Sequence, residues 1–180
     1  MIDTAPPFPK LRGITASEVR PLIVIDTREQ TPLPFRRLPS CPGTLQTGDY
    51  SAFGLETLLA IERKSIPDLV ACCVGENRER FERELHRLRG FRFKRLLVVG
   101  ARAEIDQHRY RSNVRPAAVL ATLSAFEIRY DIPVVWTLTP EEAGQLMESW
   151  VWWMAREIVK ESAALVATRH EDDEAPTAPA

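Results

Sequence analysis

The sequence predicts an α/β domain with a central mixed β-sheet flanked by helices. Two continuous apolar runs, Leu22-Ile23-Val24-Ile25 and Leu96-Leu97-Val98-Val99, have the length and composition of strands buried on both faces. A third strand-like run spans Leu58 to Lys64, and segments with helical spacing of apolar residues separate and follow these strands. The chain has 180 residues, which suits one domain with a core of more than one layer. Its expected organisation is a Pro-rich extension over residues 1–20, a folded domain over 21–168 and an acidic, disordered tail over 169–180.

The first strand ends in Asp26. Gly43 to Phe53 then reads as a hairpin turning at Thr47-Gly48, and Leu58 to Lys64 returns as another strand. Ser65-Ile66-Pro67-Asp68 has the spacing of a capping box and starts a short helix through Cys72. Asn77 to Arg89 places Phe81, Leu85 and Leu88 on one stripe and stops at Gly90. Arg95 to Val99 is the next strand. Val114 to Tyr130 reads as a helix with Pro116 near its first turn. Ile132 to Trp136 is a short strand, and Pro133 places it at an edge or a strand start. Thr139-Pro140-Glu141-Glu142 supplies a cap, a proline at the first helical position and a returning glutamate for the last helix.

Composition narrows the class. The 44% hydrophobic content suits a water-soluble globular domain, and no apolar run approaches the ~20 residues of a membrane helix. The start Ala5-Pro6-Pro7-Phe8-Pro9 is not a signal peptide, so the expected compartment is cytoplasmic. Cys41, Cys72 and Cys73 form no CxxC pair and no Cys/His cluster, which supports neither a zinc site nor a disulfide framework. No GxxxxGK[ST] loop is present. The net charge of −1 hides an uneven distribution, because residues 76–115 hold eleven Arg and one Lys against six acidic residues. Such a basic segment can attract a polyanion, or decorate a solvated helix through pairs such as Glu79/Arg83.

Chemistry concentrates at Glu62-Arg63-Lys64. On a strand Glu62 and Lys64 project to one side, roughly 6–7 Å apart at their bases, and Arg63 projects to the other. A carboxylate that can hold a divalent cation beside an ammonium is what phosphodiester hydrolysis needs. Gly48-Asp49-Tyr50 precedes this triplet, with twelve residues between Asp49 and Glu62.

Asp26-Thr27-Arg28-Glu29, Gly48-Asp49-Tyr50 and Glu62-Arg63-Lys64-Ser65-Ile66-Pro67-Asp68, in that order, resemble the DxRE…GDY…ERKxxxD signature of XPF-type nuclease domains. That family belongs to the restriction-endonuclease-like superfamily, and the resemblance covers roughly residues 20–155. It implies that Asp49 and Glu62, with the main-chain carbonyl of Arg63, ligate Mg2+ or Mn2+, a role that suits oxygen donors. Lys64 would position or activate the attacking water, and Asp26 and Glu29 would complete the acidic cluster. Arg28 would pair with a carboxylate or touch a phosphate. Asp68, which closes the signature, would join the catalytic residues. Structural alternatives are a strand-end ion pair for Asp26 and Arg28, the Gly48 turn for Asp49, and the helix cap for Asp68.

The expected activity is metal-dependent endonucleolytic cleavage of DNA, at branched, flap or distorted duplexes by family analogy. The alternative is a nuclease-fold DNA-binding or assembly subunit with weak catalysis. Arg80, Arg83 and Arg87 on one helix face could follow the DNA backbone or simply face solvent. In the last helix Ala143, Leu146, Met147, Trp150, Met154 and Ile158 form the apolar stripe. Trp152 and Val159 fall nearly opposite, among Glu141, Gln145, Glu148 and Arg156. An indole on a polar face marks an interface, and XPF-type domains commonly pair, so a homodimer through the 141–160 helix is expected. Intramolecular packing of Trp152 is the alternative, and a separate partner protein could also supply targeting.

Overall fold

The structure, a computed structural model, describes residues 21–173. The expected 1–20 extension lies outside them, as do residues 174–180 of the expected tail. Six strands form one mixed sheet: β1 (Ile23–Asp26), β2 (Ser40–Gly43), β3 (Tyr50–Ala52), β4 (Leu59–Ser65), β5 (Phe93–Val99) and β6 (Val134–Thr137). Their spatial order is β2-β1-β3-β4-β5-β6. The helices are α1 (Ile66–Ala71), α2 (Gly75–Leu88), α3 (Arg102–Asp106), α4 (Pro116–Tyr130) and α5 (Pro140–Asp173). Helix α5 therefore crosses the 168/169 boundary expected from composition. Among the described residues, no helix is long and apolar enough to cross a membrane.

Strand alternation divides the core into two layers. Ala60, Leu96 and Val98 face one side and pack with Leu69, Phe81, Leu85 and Phe126 from α1, α2 and α4. Ile23, Tyr50, Leu59, Ile61 and Leu97 face the other side and pack with Met147, Val151 and Trp152 of α5. Strands β4, β5 and β6 run parallel, with Lys64 opposite Val98 and Leu96 opposite Val134. Strand β6 is an edge, as Pro133 suggests.

The hairpin expected over Gly43 to Phe53 does not form. Strand β2 pairs parallel to β1, whereas β3 pairs antiparallel to β1 on its other side. The antiparallel partner that follows β3 is β4, with Tyr50 opposite Ile61. The turn at Thr47-Gly48 instead carries the chain past the end of β1, where Thr27 N–H donates to Gly43 O at 3.0 Å and Asp26 N–H to Asp49 O at 2.8 Å. The sequence reading lacked two elements, the edge strand β2 with its Pro42 and the short helix α3.

The last helix needs a larger correction. Trp152 is 5% exposed, not displayed on an outer face, and the exposed indole is Trp153 at 46%. Residues 33–38 lie over the side of α5 that the sequence pattern marks as polar. Glu148 is 1% exposed, and its Oε1 accepts the N–H groups of Arg36, Arg37 and Leu38 at 2.7, 2.6 and 3.0 Å. Leu33 and Leu38 pack in the same cluster as Trp152. A side chain at Gly144 would meet Pro34 O at 2.1 Å, so only glycine permits this approach. Trp152 therefore offers no exposed indole through which α5 could form the expected homodimer.

Glu148→Ala should leave three backbone donors without an acceptor and destabilise the fold by roughly 3–5 kcal/mol. Urea denaturation measures it, and a loss below about 1 kcal/mol would show that the 36–38 segment is held by other contacts.

Candidate active site

The site forms where β4 meets α1 and α2. Glu62 and Lys64 lie on the same strand face as Ala60, turned toward the α1–α2 layer, with Glu62 4% exposed. Lys64 Nζ donates to Glu62 Oε1 and stands 5.2 Å from the centroid of the Phe81 ring on α2. Asp49 is fixed to the same strand from the Gly48 turn. Its N–H donates to Ile61 O at 2.8 Å, and its Oδ2 accepts the Arg63 N–H at 2.7 Å. Gly48 has φ +82, and a Cβ there would stand 3.0 Å from Ile61 O, so the turn can press against β4 only as glycine.

These neighbours perturb one another. Burial, then the facing Asp49 charge, pushes the Glu62 carboxyl up to about 7. Burial also holds Asp49 above the usual carboxylate range, against the opposing pull of Lys64 and the Arg63 amide. Lys64 is raised: burial disfavours its charge, but Glu62 and Asp49 more than offset that cost.

The other sequence-identified residues separate into distinct environments. Asp26 is buried and accepts Arg28 Nε at 2.6 Å, Arg28 N–H at 2.9 Å and Leu45 N–H at 2.7 Å. Burial alone would raise its pKa, and these bonds bring it below the usual range. Glu29 takes Arg63 in a two-bond fork, Nε to Oε2 at 2.9 Å and Nη2 to Oε1 at 2.8 Å. Asp68 lies in the first turn of α1 and is bonded to its cap: Ser65 Oγ donates to Asp68 Oδ2 at 2.6 Å, and the Asp68 N–H faces Ser65 Oγ at 3.4 Å. Arg80, Arg83 and Arg87 are exposed on the outer side of α2, whose inner side buries Phe81, Leu85 and Leu88.

Two residues escaped the sequence reading. Glu84 follows Phe81 by three positions on α2, and its charge acts on Glu62, Arg28 and Cys72. Helical spacing from Phe81 would have located it. Cys72 is buried against the same group, and burial pushes its thiol up to about 11, so it is a neutral neighbour and no nucleophile at neutral pH.

Among the described residues no three His, Cys, Asp or Glu side chains stand together at metal-holding spacing. Asp26 and Glu29 are engaged by arginines, which leaves Asp49 and Glu62 as the oxygen donors. Arg63 N–H occupies one Asp49 oxygen and Lys64 one Glu62 oxygen, and each carboxylate keeps a second. Two carboxylates of raised proton affinity fit a hard divalent cation that completes its shell with water and phosphate oxygens.

A carboxyl raised from 4.5 to about 7 by folding contributes stability below pH about 4.5 and loses it as pH rises through about 7. Metal-free Glu62→Gln should therefore gain stability relative to the parent across that window, by roughly 1–3 kcal/mol at its upper end. Adding Mn2+ should raise the melting temperature of the parent and leave Asp49→Asn/Glu62→Gln unchanged. An equal rise in both proteins would remove these carboxylates from the metal site.

Residues 25–149 match the family described as the ERCC4 domain. A solved structure of XPF from Aeropyrum pernix superposes with a TM-score of 0.60 at 22% identity, covering 74% of this chain and 61% of that one. A structure of XPF from Aeropyrum pernix in complex with DNA gives 0.58 at 21% identity, covering 77% and 66%. The chain thus spans less than two thirds of those XPF chains. No curated protein matches it significantly. The family match extends over well over half of the sequence and contains every strand of the sheet except the first two residues of β1. The chain belongs to the ERCC4 domain family and is an XPF-type, restriction-endonuclease-like nuclease-fold domain.

Proposed function

We propose that this chain is a divalent-metal-dependent endonuclease that hydrolyses DNA phosphodiester bonds, at branched, flap or distorted duplexes, in repair or recombination. The convergence of Asp49, Glu62 and Lys64 on one face of β4 carries the reading. Asp49 and Glu62 would hold Mg2+ or Mn2+, which when bound neutralises phosphoryl charge and acidifies water. The Arg63 N–H holds the Asp49 carboxylate against β4. Lys64, held as an ammonium by its two acidic neighbours, has further N–H groups with which to orient a water or a phosphate oxygen for in-line attack. The Phe81 ring beneath it limits water and fixes the side chain's direction. Arg63, on the opposite face, is locked by Glu29 and keeps β4 in register with the loop after β1. The exposed Arg80, Arg83 and Arg87 of α2 would contact phosphates along one arm of the substrate.

Labelled duplex, flap, fork and single-stranded DNA, incubated with and without Mg2+ or Mn2+, test the activity. Cleavage of branched DNA only with metal is expected, and no cleavage of any substrate would leave a DNA-binding subunit. Lys64→Ala should reduce cleavage by at least about 100-fold while leaving DNA affinity within a few-fold. The combination Arg80→Ala/Arg83→Ala/Arg87→Ala should weaken binding and flatten its salt dependence, and an unchanged salt slope would assign that helix face to solvent.

A further inference from the structure

Resting on the DNA-nuclease reading, we propose that the connection between α3 and α4, residues 107–115, is a second phosphate-binding surface that takes the DNA backbone beyond the cleaved bond. Arg109, Arg111 and Arg115 are exposed there. Among the described residues none of the three has an acidic partner, whereas Arg28, Arg63, Arg78, Arg92 and Arg129 each do. Asp106, three residues before Arg109, is the nearest acidic residue in the sequence and forms no ion pair with it, and none follows until Glu127.

The connection is already ordered by its own bonds. His108 Nε2 lies 2.8 Å from Ser112 O, the Tyr110 hydroxyl donates to Val114 O at 2.7 Å, and the His108 and Tyr110 ring centroids are 4.5 Å apart. Tyr110 and Val114 pack on the core cluster that contains Cys72 and Cys73. Folding has thus met the ordering cost, and guanidinium groups on a fixed frame lose less freedom when they bind phosphate.

Topology puts this frame beside the reaction centre. Strands β4 and β5 run parallel with Lys64 opposite Val98 and Ser65 opposite Val99, so the chain leaves both at the same edge of the sheet. Ligands of parallel α/β sheets lie outside that edge. Helix α1 begins directly after Ser65, and Cys72 and Cys73 follow its last residue. Its six residues span about 9 Å, so the connection lies on the order of 10–15 Å from Lys64, three or four base-pair steps away. A strand cut at Lys64 can therefore continue over Arg109, Arg111 and Arg115.

The test is anisotropy of labelled duplex and flap DNA in EDTA, where no cleavage occurs, across a salt series. Arg109→Gln/Arg111→Gln/Arg115→Gln should make the slope of log K against log salt shallower by about 2–3 and weaken binding at least ~10-fold near 0.1 M salt. Replacing the same three by lysine should keep the parent slope. Arg111→Gln alone should lower it by about 1, which serves should the triple variant fold poorly. A parent-like slope in the folded triple variant, or in Arg111→Gln, overturns the assignment. A parent chain that binds no DNA overturns the nuclease reading itself.

Discussion

Two carboxylates held side by side with little water form the constraint around which this domain is arranged. Burial raises the proton affinity of both Asp49 and Glu62, and the Asp49 charge raises that of Glu62 further, so left alone they would favour protonation or separation. Separation is blocked by backbone. Asp49 is bonded through its N–H to Ile61 O and through its carboxylate to Arg63 N–H, while Glu62 sits on a strand paired with β5 along its whole length. The strain is relieved on one side by Lys64. The remainder is available to a cation. A fold that fixes repelling charges in this way is poised for a ligand of opposite sign.

The opposite face of the sheet explains how such an arrangement is kept rigid. Arg63 points away from Glu62 and Lys64 and forks onto Glu29, which belongs to the segment after β1. That segment is tied in turn through Leu33 N–H to the Tyr50 hydroxyl and through residues 36–38 to Glu148. Tyr50 adjoins Asp49, and Arg63 lies between Glu62 and Lys64. A chain of contacts therefore runs from α5 through the sheet to both sides of the site. Asp26 and Glu29, which share the acidic character of the site residues, serve this frame: each is saturated by arginine and by backbone N–H groups.

The distribution of paired and unpaired arginine gives the surface its direction. Arginines that brace the frame, such as Arg28 and Arg63, have carboxylate partners within 3 Å. Those on α2 and in the α3–α4 connection face solvent. A near-neutral chain can in this way leave several exposed arginines without carboxylate partners, available to a polyanion.

Local chemistry made much of this legible in the sequence. Period-2 alternation put Glu62 and Lys64 together and Arg63 apart, the Ser65–Asp68 spacing announced a capped helix, and Phe81, Leu85 and Leu88 marked the buried side of α2, all of which depend only on neighbours along the chain. What the sequence could not decide was which distant segments meet. The turn at Thr47-Gly48 is compatible with a hairpin and with a crossing past β1, and only the pairing of β1 with both β2 and β3 selects the crossing. Glu148 and Trp152 read as an outer, polar face because a helix pattern carries no information about a loop from residues 33–38 laid across it. Likewise, strand order decides that Arg63 reaches across to Glu29 and that Asp49 meets β4, whereas the Asp26–Arg28 pair is a contact between near neighbours in the chain. The sequence determined most of the elements and the chemical groups, since those rest on local periodicity and side-chain type; the tertiary structure decided which strands pair and which charges meet across the chain, because burial and long-range contact set the balance between desolvation and bonding.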